Sequence, residues 1–206
     1  LCKKPVHNIA ENIQIREQCH QYVSKNYNKT NVWSPKNFEL ETTTVWSFPS
    51  RGRWATHNPR YRGNWSPYIP RNLILRYTRK DDVVLDQFLG SGTTLIETKL
   101  LERYGIGVDI NSDAIEISKS NIPSCRTNKY KPKILKGDAR DLYFIEDDSI
   151  DLICTHPPYS NIIKYSKDLD GDLSHLDILD FIEAMKTVAD ESYRVLKNNK
   201  YCAILI

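Results

Sequence analysis

The sequence of 206 residues lacks any long uncharged apolar run of the kind that crosses a membrane. Its N-terminal Leu1-Cys2-Lys3-Lys4 is also not followed by the apolar stretch of a secretory signal. The composition, with 40% hydrophobic and 27% charged residues, is typical of a globular protein and not of a disordered one. We therefore expect one domain of moderate size, or a domain core with a short extension, and no membrane partner.

Closely spaced cysteine pairs are absent from the sequence, so it has neither a zinc knuckle nor a redox motif. The five cysteines are Cys2, Cys19, Cys125, Cys154 and Cys202. An odd number of scattered cysteines is typical of free thiols in a reducing compartment. The sequence thus predicts a cytoplasmic protein without a metal site.

Acidic residues are absent from Thr42 to Lys80, although the formal net charge of the chain is only +3. The basic residues of this acid-free segment are Arg51, Arg53, Arg60, Arg62, Arg71, Arg76, Arg79 and Lys80. Arginines can neutralise phosphates and the interleaved aromatic rings can stack on bases, so we predict that four of these arginines line a nucleic-acid groove. The four are Arg51, Arg53, Arg60 and Arg62. The alternative for the aromatic residues is that Trp46, Trp54 and Trp65 belong to the hydrophobic core.

Changes in composition divide the chain into three parts. Residues 1–41 form a polar N-terminal extension with apolar residues at helical spacing, namely Ile9, Ile13, Cys19 and Tyr22. Residues 42–80 are the acid-free segment, which prolines keep mostly irregular. Residues 81–206 alternate between apolar strand-like and helix-like stretches, and we expect them to form the catalytic core.

This alternation is typical of an α/β fold. The predicted strands are 83–85, 105–108, 133–135, 150–154 and 201–206. The predicted helices are 71–78, 93–103, 112–120 with Ser112 as its N-cap, and 176–196. Repeated β-α-β units with apolar strands predict a mostly parallel sheet covered by helices on both faces. Such a sheet usually has more strands, so we expect C-terminal strands beyond Ile206.

A glycine-rich turn follows the first predicted strand, from Asp86 to Thr94. Its glycines allow a ligand close to the backbone, and the turn leads into a helix N-terminus. Position 95 is leucine where a dinucleotide fingerprint requires a third glycine, and no Gly-Lys-Ser/Thr is present for a P-loop. The turn therefore predicts a different nucleotide-like ligand at the carboxyl edge of the sheet.

Two carboxylates follow the next two strands. Asp109 ends the second strand and can accept hydrogen bonds from both hydroxyls of a ribose. Asp138 follows the third strand and can accept from an adenine amino group. Either residue alone is more often a helix cap. Together with the glycine turn, at the ends of three consecutive strands, they predict an adenosine pocket.

The fourth predicted strand ends in Thr155-His156-Pro157-Pro158-Tyr159-Ser160. Two consecutive prolines stiffen the backbone and leave carbonyl groups free to accept hydrogen bonds. One interpretation is a rigid turn with a surface tyrosine. The other is a substrate site, because this turn lies at the same edge of the sheet as the adenosine pocket.

These motifs resemble those of the DNA amino-methyltransferases. Asp86–Thr94 is similar to their Asp-Pro-Phe-x-Gly-Ser-Gly-Thr-Thr motif, and His156–Tyr159 is similar to their (Asp/Asn/Ser)-Pro-Pro-Tyr motif. Trp65-Ser66-Pro67 and the helix after it resemble the segment that touches the methionine part of the cofactor. The resemblance extends from Trp46 to Ile206. Gln87 stands where the family has proline, and His156 replaces a residue that helps to separate adenine-N6 from cytosine-N4 enzymes.

The resemblance implies a Rossmann-like class I methyltransferase fold, S-adenosyl-L-methionine as cofactor and double-stranded DNA as substrate. A role in restriction–modification, with a cognate restriction endonuclease as a partner, is compatible with the resemblance and stays open. The implied catalytic residues are His156, Pro157, Pro158 and Tyr159. The implied cofactor-binding residues are Ser66, Pro67, Asp86, Phe88, Gly90, Gly92, Thr93, Thr94, Asp109, Ile110, Asp138 and Ala139.

The implied reaction is methylation of an exocyclic amine on a base that has left the duplex. The side chain of His156 and the Pro157 carbonyl would accept the two N–H bonds, and Tyr159 would stack on the base. Overall likeness favours cytosine N4 over adenine N6, and the recognition sequence and oligomeric state stay open. Three alternatives also stay open: His156 only shapes the turn, the substrate is RNA or a protein amide nitrogen, or the chain binds nucleic acid without catalysis.

Overall fold

The computed structural model describes residues 33–206 except Pro49, Arg62, 124–127, Asn161 and 167–168. Several predictions fall outside the described residues. These are the N-terminal helix with Ile9, Ile13, Cys19 and Tyr22, the nucleic-acid contact of Arg62, and the free thiols of Cys2, Cys19 and Cys125.

The described part of the chain contains four α-helices and five strands. In chain order they are α1 (Tyr68–Tyr77), β1 (Val83–Asp86), α2 (Thr93–Leu100), β2 (Tyr104–Asp109), α3 (Ser112–Asn121), β3 (Lys133–Lys136), β4 (Ile150–Thr155), α4 (Ile178–Val195) and β5 (Leu196–Ile204). Short 3-10 helices cover Asn128–Tyr130 and Leu173–His175. None of the described helices combines the length and the apolar character needed to cross a bilayer.

The five strands form one parallel sheet in the order β3-β2-β1-β4-β5. The chain builds outward from β1 to β3 and then returns to the other side of β1, so the topological switch point lies between β1 and β4. All carboxyl ends of the strands meet at one edge. The predicted α/β fold with a parallel sheet is confirmed.

Helices cover both faces of the sheet, as predicted. Val84 and Leu152 pack against Ile74 of α1 on one face. Their neighbours in sequence, Leu85 and Ile153, pack on the opposite face with Val195 of α4. The side chains of a strand alternate between faces, so strands that are apolar throughout bury both sides of the sheet.

A glycine allows the close packing of α2 on β2. A Cβ atom at Gly105 would lie 2.4 Å from Oγ1 of Thr98 and 2.8 Å from the side chain of Leu95, both on α2. All eight residues of α2 are buried. Helix α2 therefore packs closely on β2 and supports the glycine-rich turn that precedes it.

The predicted element boundaries needed four corrections. Helix α1 begins at Tyr68 and not near Arg71, because Pro70 falls in its first turn, where a helix tolerates proline. Helix α2 ends at Leu100, before the positive φ of Glu102 (63°). The prediction that Ser112 caps α3 is wrong. The side chain of Asn111 caps it instead, by accepting a hydrogen bond from the Asp113 amide.

The fourth correction concerns the last strand. Strand β5 begins at Leu196 and not near Tyr201, because α4 ends at Val195 and the chain turns directly into the sheet. Leu196 pairs with Ile150 and Tyr201 pairs with Leu152 across a register irregularity. The polar residues between these two pairs therefore belong to the strand, although their sequence does not favour one.

The acid-free segment is anchored to the sheet by one buried carboxylate. Glu97 of α2 is fully buried and accepts hydrogen bonds from Trp54 Nε1 (2.7 Å), His57 Nε2 (2.6 Å) and an Arg71 guanidinium nitrogen (2.7 Å). Trp54 and Trp65 are buried, so the core interpretation holds for these two tryptophans. The irregular part of the acid-free segment, which precedes α1, is thus fixed against α2.

Candidate functional site

A cleft of about 800 Å³, counted with its open mouth, lies at the carboxyl edge of the sheet. Its floor is made by residues at and after the ends of β1, β2, β3 and β4. Its walls are completed by Tyr61, Gly63, Asn64, Trp65, Tyr165, Gly171, Asp172 and Leu173. Ten of the predicted site residues line it together: Asp86, Phe88, Gly90, Thr93, Asp109, Ile110, Asp138, Ala139, His156 and Pro158. Six others adjoin the same motifs but do not line the cleft: Ser66, Pro67, Gly92, Thr94, Pro157 and Tyr159.

The glycine-rich turn brings backbone to the cleft surface. Gly90 has a φ of 50°, and a Cβ atom there would lie 3.2 Å from the ring of Tyr61. The amide of Gly90 donates a 2.8 Å hydrogen bond to Oδ2 of Asp109. The turn after β1 is therefore linked to the end of β2. A side chain at position 90 would disturb the close contact between Gly90 and Tyr61.

Asp109 is positioned by two backbone amides. Oδ2 accepts from Gly90, and Oδ1 accepts from Asn111 at 2.9 Å. Burial raises the pKa of Asp109 although these hydrogen bonds lower it. A carboxylate has about four acceptor positions, so Asp109 keeps accepting capacity for the hydroxyl groups of a ligand.

Asp138 has a close basic neighbour that the sequence analysis did not assign. Nη2 of Arg140 lies 2.6 Å from Oδ2, and Nε lies 3.0 Å from Oδ1. Burial alone would raise the pKa of Asp138, but the hydrogen bonds from Arg140 outweigh it and hold the pKa below its usual value. Arg140 also reaches the carbonyl of Gly171 at 3.4 Å. A ligand amino group that approaches Asp138 therefore competes with Arg140.

Asp86 is a buried carboxylate at the centre of the site. Its Oδ1 accepts hydrogen bonds from Thr155 Oγ1 (2.8 Å) and from the Phe88 amide (3.2 Å). Burial raises its pKa to about 6 in spite of these contacts. No lysine or arginine is among the described residues that line the cleft, whereas four aspartates are. The cleft thus favours a cationic ligand.

The Pro-Pro turn places an imidazole at the cleft. Nε2 of His156 lies 2.9 Å from the hydroxyl of Tyr159, and the imidazole stacks on Trp65 with ring centroids 5.7 Å apart. Burial lowers the pKa of His156, so the ring is neutral at pH 7. Pro157 is buried and Pro158 lines the cleft. The turn therefore presents a neutral hydrogen-bonding ring beside the aspartates.

Sequence reasoning missed several residues of the cleft wall. Asn64 accepts a 2.5 Å hydrogen bond from Oγ1 of Thr93, and Tyr61 lies against the glycine-rich turn. Burial and the nearby Asp109 raise the pKa of Tyr61, so it stays a neutral phenol. The remaining members are Gly63, Gln87, Leu89, Ser91, Asn111, Tyr165, Gly171, Asp172 and Leu173. Trp65, which also lines the cleft, belongs to the segment already expected near the cofactor. The aromatic character of the acid-free segment was the available signal for Tyr61.

The predicted nucleic-acid arginines differ in their surroundings. Arg51 is partly buried and donates to the carbonyls of Asn64 (3.1 Å) and Trp65 (2.8 Å), so it supports the cleft wall. Arg53 and Arg60 are exposed. The described residues contain no cluster of His, Cys, Asp and Glu that could hold a metal ion.

Comparison with known families gives two matches. The model of the DNA methylase family matches residues 3–120, which is more than half of the chain. A second model, described as an RMKL-like methyltransferase domain, matches residues 73–196. The two matches overlap on the glycine-rich turn and Asp109.

The chain is similar to methyltransferases of two substrate classes. It is 33% identical over 103 residues to the Type II methyltransferase M2.MboI of Moraxella bovis, a match that covers 48% of this chain and 38% of the relative. It is 33% identical over 100 residues to a tRNA (guanine(10)-N2)-dimethyltransferase of Methanothermobacter thermautotrophicus, covering 48% of this chain and 29% of the relative. The chain thus matches well under half the length of either relative.

Among solved structures, the chain is similar to a SAM-dependent methyltransferase from Methanosarcina mazei. The identity is 22% and the TM-score 0.49, with 64% of this chain and 55% of that chain covered.

Proposed function

The chain belongs to the DNA methylase family, and from this premise we propose that it transfers a methyl group from S-adenosyl-L-methionine to the exocyclic amine of a base in double-stranded DNA. Cytosine N4 is the favoured target over adenine N6. One observation carries the proposal: His156 and Pro158 line the same cleft as Gly90 and Asp109. The motif proposed for the base and the motifs proposed for the cofactor therefore face one space.

The chemistry of the cleft fits S-adenosylmethionine, the cofactor that the family implies. When bound, this cofactor supplies an electrophilic methyl group on a positively charged sulfur. Asp86 is a buried carboxylate and Asp109 a partly buried one, and neither has a basic partner in the described cleft lining, which suits a ligand with an ammonium and a sulfonium group. Asp109 keeps acceptor positions for a ribose, and Asp138 lies at the next strand end for an adenine amino group.

The residues around these carboxylates would hold the rest of the cofactor. Gly90 leaves room at the glycine-rich turn, and Phe88 packs beside it against Ala139 and Leu173. Apolar walls of this kind suit an adenine ring. The same proposal includes contacts with the cofactor from Ser66, Pro67, Gly92, Thr93, Thr94 and Ile110.

The Pro-Pro turn would prepare the target amine. The lone pair of an amine on a nucleobase is delocalised into the ring, so the nitrogen is a poor nucleophile. A neutral His156 and the carbonyl of Pro157 would accept its two N–H bonds and favour a tetrahedral nitrogen. Tyr159 would stack on the extruded base, and stacking offsets part of the cost of extrusion. The hydroxyl of Tyr159, now bonded to His156, must give way when the base arrives.

We extend the proposal to the DNA contacts, the cellular compartment and the partners of the protein. Arg53 and Arg60, and Arg62 with them, would contact the phosphates of the duplex. Arg51, which was predicted with them, would instead hold the cleft wall beside them through the carbonyls of Asn64 and Trp65. We also propose the cytoplasm as its compartment, since Cys154 and Cys202 are free thiols. The division into residues 1–41, 42–80 and 81–206 and a cognate restriction endonuclease as partner remain predictions.

A second candidate substrate is a guanine amine in tRNA. The observation that favours it is the similarity to tRNA (guanine(10)-N2)-dimethyltransferases, which recurs in a 31% identical relative from Pyrococcus abyssi. A guanine N2 amine has the same delocalised lone pair and would need the same two acceptors. The local geometry of the Pro-Pro turn serves both substrates.

The test is transfer of a radiolabelled methyl group to duplex DNA, tRNA and a peptide, followed by mass spectrometry of the nucleosides. We expect label in DNA as N4-methylcytosine. Tyr159→Ala should reduce transfer, and Tyr143→Ala, which removes a tyrosine that is 81% exposed outside the cleft, should not. Label in tRNA as N2-methylguanine would replace the proposal by the second candidate, and cofactor binding without transfer to any substrate would contradict both.

A further inference from the structure

Gln87 has a buried side-chain atom without a hydrogen-bond partner. It follows the last residue of β1, lines the cleft and is 1% exposed. Its Nε2 atom has no partner among the described residues. A buried amide N–H without an acceptor is unfavourable, so this atom points to a ligand group.

The oxygen of the side-chain amide, Oε1, lies next to α4. Oε1 of Gln87 lies 3.1 Å from Oγ of Ser192, which lies 2.6 Å from the carbonyl of Val188. The hydroxyl has one hydrogen, and the shorter distance assigns it to Val188. If the amide is turned so that Nε2 donates to Ser192, Oε1 is left without a partner instead. With the hydroxyl hydrogen directed at Val188, the first orientation leaves both polar atoms of Gln87 without a partner in the described residues, and the second leaves Oε1 without one. In both orientations, therefore, at least one polar atom of Gln87 is unsatisfied by the protein.

The position of β1 indicates which part of a ligand this atom would meet. The sheet order places β1 between β2, which ends at Asp109, and β4, which leads to His156. With the ribose at Asp109 and the reactive methyl directed at His156, the group above the end of β1 is the amino-acid arm of the cofactor. This arm carries an ammonium and a carboxylate. The carboxylate of Asp86 complements the ammonium. The amide of Gln87 complements the carboxylate through its N–H in the first orientation and the ammonium through Oε1 in the second.

We propose that the side-chain amide of Gln87 binds the amino-acid end of S-adenosylmethionine. The inference rests on the proposed function, because it takes its ligand from there. The family motif has proline at this position, which has no side-chain donor, so the contact is a property of this chain. Gln87 is therefore a cofactor-binding residue in addition to those implied by the family motifs.

The experiment measures dissociation constants by calorimetry for two neutral-sulfur analogues. S-adenosylhomocysteine has the amino-acid arm, and 5′-methylthioadenosine lacks it. In Gln87→Met, which keeps the length of the side chain and removes the amide, we expect the affinity for S-adenosylhomocysteine to fall about tenfold. The affinity for 5′-methylthioadenosine should change less than about twofold. Gln87→Ala repeats the comparison in a variant that cannot overpack the site.

The outcomes separate the inference from the proposed function. If the wild-type protein binds S-adenosylhomocysteine and both variants bind it equally well, the inference alone is overturned. Equal losses for both analogues also overturn it, because the contact would then lie on the adenosine part. If the wild-type protein binds neither analogue, the proposed cofactor and the inference fail together. Thermal unfolding of the ligand-free variants shows that they are folded.

Discussion

At the scale of single residues, burial shifts two ionisable groups of the cleft in opposite directions. It raises the pKa of Asp86 to about 6 and lowers the pKa of His156. The two groups are linked through consecutive residues, since Thr155 donates its hydroxyl to Asp86 and precedes His156. Near pH 7 the cleft therefore combines an ionised carboxylate with a neutral imidazole, the states that a cationic cofactor and an amine substrate require.

The proposed role of His156 predicts the acid side of the pH–rate profile. Only the neutral ring can accept a proton from the amine, and burial lowers its pKa. At saturating cofactor the single-turnover rate of the wild-type protein should fall only below about pH 6.5, the ordinary histidine value. His156→Ala should be slower by roughly tenfold or more and should lose this limb.

His156→Asn is the matched control, because its amide oxygen accepts a hydrogen bond but does not titrate. It should regain rate without regaining the acid limb. An alanine variant with the wild-type rate and the wild-type limb would instead assign His156 to shaping the turn.

Asp86 should limit the stability of the ligand-free protein. Its folded-state pKa of about 6 lies above the ordinary value of 3.8, so the folded state binds the proton more tightly than the unfolded state. Stability is therefore lost as the pH rises from about 4 to about 6, and the loss is complete above that range. Asp86→Asn should raise the free energy of unfolding at pH 8 by about 1–3 kcal/mol.

Urea unfolding at several pH values measures this effect. The gain from Asp86→Asn should shrink to nothing below about pH 4, where the carboxyl is protonated in both states. The same variant should bind S-adenosylmethionine more weakly. A gain of equal size at pH 4 and pH 8 would contradict the electrostatic explanation.

At the scale of secondary-structure elements, α2 connects the acid-free segment to the sheet. Glu97 accepts hydrogen bonds from Trp54, His57 and Arg71, which come from the irregular segment and from α1. Arg71 also lies over the ring of Trp54, 5.9 Å from its centroid. Tyr61, Gly63, Asn64 and Trp65 of the cleft wall lie close in sequence to this anchored stretch, so their position depends on Glu97, a carboxylate outside the cleft.

Removal of this carboxylate should be strongly destabilising. Glu97→Ala leaves the buried guanidinium of Arg71 without its partner, and such a loss typically costs about 3–5 kcal/mol. Glu97→Gln keeps an acceptor and should cost less. Glu116→Ala is the control, since its pair with Lys119 is exposed and should change stability by less than about 1 kcal/mol. Denaturant unfolding compares the three, and equal stability of Glu97→Ala and Glu116→Ala would refute the anchoring role.

At the scale of the whole molecule, charge is separated between the cleft and its surroundings. The described cleft lining has aspartates and no lysine or arginine, whereas the acid-free segment beside it exposes Arg53 and Arg60. This arrangement suits a cationic cofactor inside and a polyanion outside. Arg51 does not belong to the exposed set, because its guanidinium is bonded to the carbonyls of Asn64 and Trp65.

Charge reversal at the two exposed arginines should weaken DNA binding and reduce its salt dependence. If each contacts one phosphate, Arg53→Glu with Arg60→Glu should reduce the slope of log K against log salt by about two. Lys131→Glu with Lys133→Glu is the matched control, because these exposed residues lie at the start of β3, on the rim opposite the cleft. Binding titrations at several salt concentrations provide the measurement, and identical slopes for the two double variants would contradict the proposed groove.

The sequence by itself determined the parallel sheet and the motifs at its carboxyl edge. Apolar runs such as 150–154 and glycine at positions 90 and 92 act on their own stretch of backbone, so their consequences can be read locally. The tertiary structure alone decided which partners these residues have. Ser192 meets Gln87 across 105 residues of chain, and Glu97 meets Trp54 across 43. Such pairs depend on how helices pack on the sheet, which no local pattern encodes, and they determine which polar groups of the cleft remain free for a ligand.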